Sequence, residues 1–155
     1  LHSFPTRRSS DLNLSGSGLT ANRLWMDTIS GNLANVNTTR TPDGGPYVRR
    51  VPVFQERLME AVGDQENRIR KGWFGMYSAS GVRVADIGTD ATPPRLAYQP
   101  DHPDADAEGY VAYPNVNVVR EMADMMVASR AYEANLAVVE TGKSVWNSAL
   151  EIMRS

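Results

Sequence analysis

From Pro114 to Met153 apolar residues recur at alternating steps of three and four, and no proline follows Pro114. That spacing winds apolar side chains onto one side of an α-helix, and its persistence constrains everything else the chain can fold into. Met122, Met125, Tyr132, Leu136, Val139, Trp146, Leu150 and Met153 fall on one heptad seam, broken by Ser129 and Lys143. A second row, including Val119, Met126, Ala131, Val138, Val145, Ala149 and Ile152, widens the seam beyond what a two-stranded coiled coil requires. Such a helix needs more than one neighbour. At about 1.5 Å rise per residue the rod is roughly 55 Å long, where helices of ordinary domains average about 11 or 12 residues. A helix of this length reaches past its own domain.

A chain of 155 residues that spends its last forty or so on one rod has too few left to surround that rod with a conventional core. Burial by partner chains follows. Lys plus Arg number 16 and Asp plus Glu 18, with no basic block or stripe, which argues against nucleic acid as a partner. Apolar runs are short and interrupted by charge, so no transmembrane helix of about 20 residues can be drawn. The front of the chain has no cleavable signal-peptide pattern. Cysteine is absent, which removes disulfides, thiolate catalysis and Cys-based zinc sites.

Residues 1–12 (LHSFPTRRSSDL) carry no helical or strand period and read as a disordered tail, foreign to or truncated from the protein proper. Residues 13–37 form the N-terminal helix: Leu19, Met26, Ile29, Leu33 and Val36 share a three-four seam, and Ser15 or Ser17 caps its start. Gly31 inside this helix predicts a close helix approach or a bend. Asn32, Asn35 and Asn37 cluster at its end. Spacing alone favours a frayed, polar terminus with an Asn cap over amides that bond across to neighbouring helices.

Residues 38–114 form a central β-rich region. Thr38–Pro46 (TTRTPDGGP) stops the helix, since Pro42 cannot continue it and Asp43-Gly44-Gly45 supplies a turn. Strands are predicted at Tyr47–Phe54, with Pro52 confining it to an edge, at Gly81–Ile87, at Arg95–Tyr98 and at Tyr110–Tyr113. Gln55–Lys71 reads as a short helix or an excursion. Asp101, His102, Asp104, Asp106 and Glu108 invite a metal reading, but no EF-hand spacing is present and Pro100 and Pro103 interrupt the run. A solvated acidic turn fits better. No nucleophile elbow, phosphate loop or His pair is found, so no catalytic, cofactor-binding or metal residue is assigned and no cofactor is expected.

Three ordered segments carry a resemblance: SGLTANRLWMDTISGNLANVNTTRTPDGGPYVRR (17–50), HPDADAEGYV (102–111), and YPNVNVVREMADMMVASRAYEANLAVVETGKSVWNSALEIM (113–153). Together they resemble the flagellar basal-body rod and hook proteins. NLANVNT (32–38) is similar to the signature that these proteins share, and TTRTPDGGPY with the acidic turn before PNVN points to a proximal-rod member. The resemblance implies a mainly α fold with a small β middle, its long terminal helices paired antiparallel as a coiled-coil-like core, the C-terminal one spanning 115–155. It implies helical assembly into a torque-transmitting drive shaft. Implied partners are other copies of the chain, the rod proteins FlgB and FlgF, the distal rod protein FlgG as a further candidate, the adaptor FliE, and the flagellar type III export apparatus, which needs no cleaved signal. The place implied is the basal body in the periplasm.

Interface and helix-positioning roles are then expected for Leu19, Met26, Ile29, Asn32, Leu33, Asn35, Asn37, Asn115, Asn117, Met122, Met125, Ser129, Arg130, Tyr132, Asn135, Leu136, Val139, Trp146 and Leu150. The stretch 64–80 looks longer than the family's version, with Trp73, Phe74 and Met76 offering an extra contact. Other readings are a different rod or hook component, a coiled-coil secretion-system protein outside flagella, or, remotely, an acid or metal enzyme using the cluster at 101–108.

Overall fold

The computed structural model describes residues 5–58 and 79–154. Helix α1 runs Pro5–Ala34. It therefore includes most of the stretch that sequence alone read as an unordered tail, with proline at its first position, where a missing N–H costs nothing. It closes in a turn in which Asn35 N–H reaches the Gly31 carbonyl at 3.2 Å and Thr38 N–H reaches the Asn35 carbonyl at 3.1 Å. The stop at 42–45 is built as expected from its residues. Thr41 and Gly45 are bridged at 2.9 Å, and Gly44 and Gly45 hold φ of 85° and 76°, a region glycine enters without a Cβ penalty.

Strand β1 (Arg50–Leu58) pairs antiparallel with β2 (Ala79–Thr89), Arg50 opposite Thr89 and Phe54 opposite Val84. Strand β3 (Arg95–Tyr98) pairs antiparallel with β4 (Tyr110–Tyr113), Leu96 opposite Ala112. Each sheet has two strands, so each strand is an edge and Pro52 withdraws no donor from a central ladder. Gln55–Leu58 continues β1, and the rest of the predicted 55–71 segment lies outside the described residues, as does the stretch 64–80 with Trp73, Phe74 and Met76, save for Ala79 and Ser80 at the start of β2. Between β3 and β4 the Asp106 carboxylate accepts the backbone N–H groups of Glu108 (2.9 Å) and Tyr110 (2.8 Å), which turns the acidic run back on itself.

Helix α2 runs Val118–Arg154. Asn117 caps it, its side-chain oxygen accepting the Arg120 N–H at 3.1 Å. The two helices pack together in opposite directions: Asn32 meets Glu121, and two heptads earlier on α1 Gly18 meets Asn135, two heptads later on α2. A Cβ on Gly18 would sit 3.0 Å from the Asn135 amide, whereas Gly31 faces open space. Of the two roles expected for Gly31, a close helix approach or a bend, the close approach belongs to Gly18. On its other side α1 carries the β1–β2 sheet, through Trp25 edge-on to Phe54 (centroids 5.8 Å apart) and through Ser17, whose hydroxyl accepts the Val82 N–H at 3.1 Å.

Among the described residues the buried apolar side chains are Ala21, Ile29, Val111 and Ala128 with Pro52 and Pro114, set beside the buried polar ones Ser15, Thr28, Asn32 and Glu121. So small an apolar core leaves polar contacts to hold much of the fold.

Candidate assembly site

Two features stand out: a buried polar knot where both helices meet the sheets, and an uncovered apolar face on α2. The knot centres on Asn32, 1% exposed, and Glu121, 0% exposed. Asn32 Nδ2 donates to the Arg50 carbonyl (2.8 Å) and to Glu121 Oε2 (3.1 Å). Its Oδ1 accepts from Tyr47 Oη (2.9 Å) and the Arg50 N–H (2.9 Å). One amide thus uses all four of its hydrogen-bonding positions.

The other oxygen of Glu121 accepts from Arg49 Nε at 2.6 Å, and the Arg49 guanidinium also reaches Asp90 (3.3 Å) and Asp124 (3.8 Å). Its backbone N–H donates to Asn115 Oδ1 at 3.1 Å. Burial opposes the charge on Arg49, but the hydrogen bond and charge of Glu121, then those of Asp90, more than offset it and raise its pKa. Burial, with Arg50 acting against it and Glu121 adding to it, pushes the Tyr47 phenol up. The Thr92 hydroxyl and N–H, joined by Arg49 and opposed by burial, hold the Asp90 carboxyl below its usual value. Removing one partner of a buried pair such as Arg49 and Glu121 costs about 3–5 kcal/mol, because the other charge is stranded.

The expected frayed end therefore does not describe Asn32, which bonds across the fold. It suits its neighbours better. Asn35 is half-buried and folds its amide back to the Gly31 carbonyl (2.9 Å), while Asn37 is exposed. Of the other residues singled out, Ile29 is buried, and Leu19, Met26, Leu33, Asn115, Met125, Ser129, Tyr132, Asn135 and Val139 are half-buried. Asn117, Met122, Arg130, Leu136, Trp146 and Leu150 are exposed.

Within the single chain α2 buries Glu121 and Ala128 and sets Asn135 against Gly18, a row one residue before the apolar row of Met122, Leu136 and Leu150. That outer row stays uncovered, Met122 at 56% and Leu136 at 39% exposure, with Val119, Met126 and Trp146 exposed beside it and Val138 and Val145 exposed on the opposite side of the helix. Arg49, Asp90 and Glu121 escaped sequence reasoning, since a charge paired 72 positions away leaves no local signal. Gly81, with φ of 119° and Ser17 where a Cβ would go, was equally hidden.

The acidic turn is engaged structurally. Asp104 accepts the Thr39 hydroxyl at 2.8 Å, which draws the loop after α1 onto the β3–β4 connection. Among the described residues no group of three or more His, Asp or Glu side chains is placed to hold a metal ion. Nor is any described helix long and apolar enough to cross a membrane.

Comparison with known proteins gives the class first. The family model for flagella basal body rod protein matches residues 12–40, and that for the flagellar basal body rod FlgEFG protein C-terminal region matches residues 107–152, which include most of α1 and α2 respectively. Whole-chain relatives narrow it. The flagellar basal-body rod protein FlgC of Borreliella burgdorferi is 47% identical over 154 residues, covering 94% of this chain and 97% of that protein. FlgC of Bacillus subtilis is 39% identical, covering 91% and 95%, and FlgC of Salmonella typhimurium is 37% identical, covering 90% and 92%. The chain belongs to the FlgC family, and it is a structural subunit of the flagellar basal-body rod.

Proposed function

We infer that this rod subunit works by helical assembly, its paired terminal helices packing in a coiled-coil-like manner against equivalent helices of neighbouring subunits in the proximal rod. The observation that carries this reading is the apolar face of α2, with Val119, Met122, Met126, Leu136, Trp146 and Leu150 exposed, and Val138 and Val145 exposed on its opposite side, on a chain whose own core is small. Apolar surface on that scale is stabilised by burial in an assembly. On this reading residues 13–37 and 115–155 make the inner core and 38–114 make the outer β-rich region, with α1 continuing the first helix back to Pro5. The interface and helix-positioning residues are those expected from the sequence, from Leu19 to Leu150.

The role is mechanical and non-catalytic: a segment of the drive shaft that transmits torque through the periplasm. Its partners are other copies of itself, FlgB and FlgF, with FlgG a further candidate and FliE at the membrane ring, and it is exported through the flagellar type III apparatus. Leu136→Asp tests the face. It places a carboxylate in a contact that assembly desolvates, an uncompensated charge repeated in every subunit at a cost of several kcal/mol each. In a host lacking its own copy, Leu136→Asp gives a secretable protein and no filaments, while Glu133→Gln leaves motility near normal. Normal motility with Leu136→Asp together with its loss in Glu133→Gln would require the packed face to be redrawn.

A further inference from the structure

We propose that the contact between Asn32 and Glu121 is a register lock, selecting which turn of α2 lies against which turn of α1. The inference concerns the single chain and stands apart from the rod reading. Where the helices meet they are flush and small-sided: Gly18 lies against Asn135, and Ala21 and Ala128 are buried. Continuing the row of Glu121, Ala128 and Asn135 at steps of seven brings Gly142 and Ala149, both half-buried. Small residues allow close approach but distinguish poorly between one heptad and the next. A slide of seven residues, about 10 Å, would restore a similar flush surface.

The polar knot is not restored by that slide. With α2 moved one heptad, Ala128 would stand opposite Asn32. The Asn32 amide would then lose its carboxylate acceptor, and Arg49 Nε its 2.6 Å partner, both in a water-poor site. Buried polar contacts fix register in paired helices by this asymmetry: correct pairing satisfies every group, and slipped pairing orphans several.

The absence of native cysteine makes the test direct. In the full chain, Gly18→Cys is combined in turn with Asn135→Cys, Ala128→Cys or Gly142→Cys, the first pair reporting the native register and the others a slip of one heptad either way. A Cβ on Gly18 already falls 3.1 Å from Asn135 Cγ, close enough for a disulfide between the two positions. After mild oxidation the native product should exceed each slipped product by about tenfold or more in the parent chain, and by a smaller factor in Glu121→Gln, which keeps the side-chain shape but puts an amide NH2 where one of the two accepting oxygens stood. In Glu121→Leu and Glu121→Ala the ratio should fall toward one. Two variants are used so that one with reduced helix content by circular dichroism leaves the other to decide. A native ratio retained in both would overturn the proposal and place register control in the loops and sheets; equal products in the parent chain would overturn it outright.

Discussion

Gly81 is the residue with least freedom to change. Its φ of 119° is costly for any residue with a Cβ, and a Cβ would also run into the Ser17 hydroxyl that anchors β2 to α1. Gly81→Ala should cost about 1–3 kcal/mol in urea unfolding, and adding Ser17→Gly should recover only part of it, since space is relieved while backbone strain remains. Full recovery would place the whole cost in the side-chain contact. Asp90 gives a pH-dependent counterpart. Its folded pKa is depressed, chiefly by Thr92 and then by Arg49, so its stabilisation is present above the unfolded value near 3.9 and is lost as pH falls through the lower folded value. Asp90→Asn should flatten the fall of the melting midpoint below about pH 4, and an unchanged acid slope would remove Asp90 from that role. Neither residue was legible beforehand. The φ of a glycine and the partner of a carboxylate are properties of distant backbone, and Asn32 could not be separated from Asn35 and Asn37 by spacing, although it alone of the three is buried.

At the scale of elements, four predicted strands overlap the four observed, because Val and Tyr alternation and the Gly and Pro punctuation are local signals. The long helix was equally plain. Its inner face was not: apolar periodicity finds Met122 and Leu136, whereas the chain buries Glu121 and Ala128, a carboxylate that opposes a hydrophobic pattern and a small side chain that adds little to it. This division of α2 predicts uneven protection. Hydrogen exchange on the isolated chain should be slowest around 121–135, near the knot and the Gly18 contact, and faster over 143–152, where Val145, Trp146 and Leu150 are exposed. One uniform exchange rate along both helices would indicate a cooperative monomer that needs no partner to complete it.

For the whole molecule, the balance of helices and small sheets followed from pattern, while the way they are joined did not. That joint depends on Arg49, which has no apolar row or motif to announce it, yet it reaches Asp90 beside β2 and Glu121 and Asp124 on α2 from a single guanidinium. The arrangement has a consequence for a body under load. Contacts strung in series along a strand fail one after another, each bearing the full force, whereas contacts that fan out from one point share it. Pulling the β1–β2 sheet away from the helices would stretch the contacts of Arg49 with Glu121 and Asp124 together while Asp90 holds the guanidinium from the sheet side, with Asn32 and Asn115 as further stays. The joint would therefore yield by small reversible stretches of many bonds before any one of them gives way, the behaviour of a stiff bearing and not of a hinge.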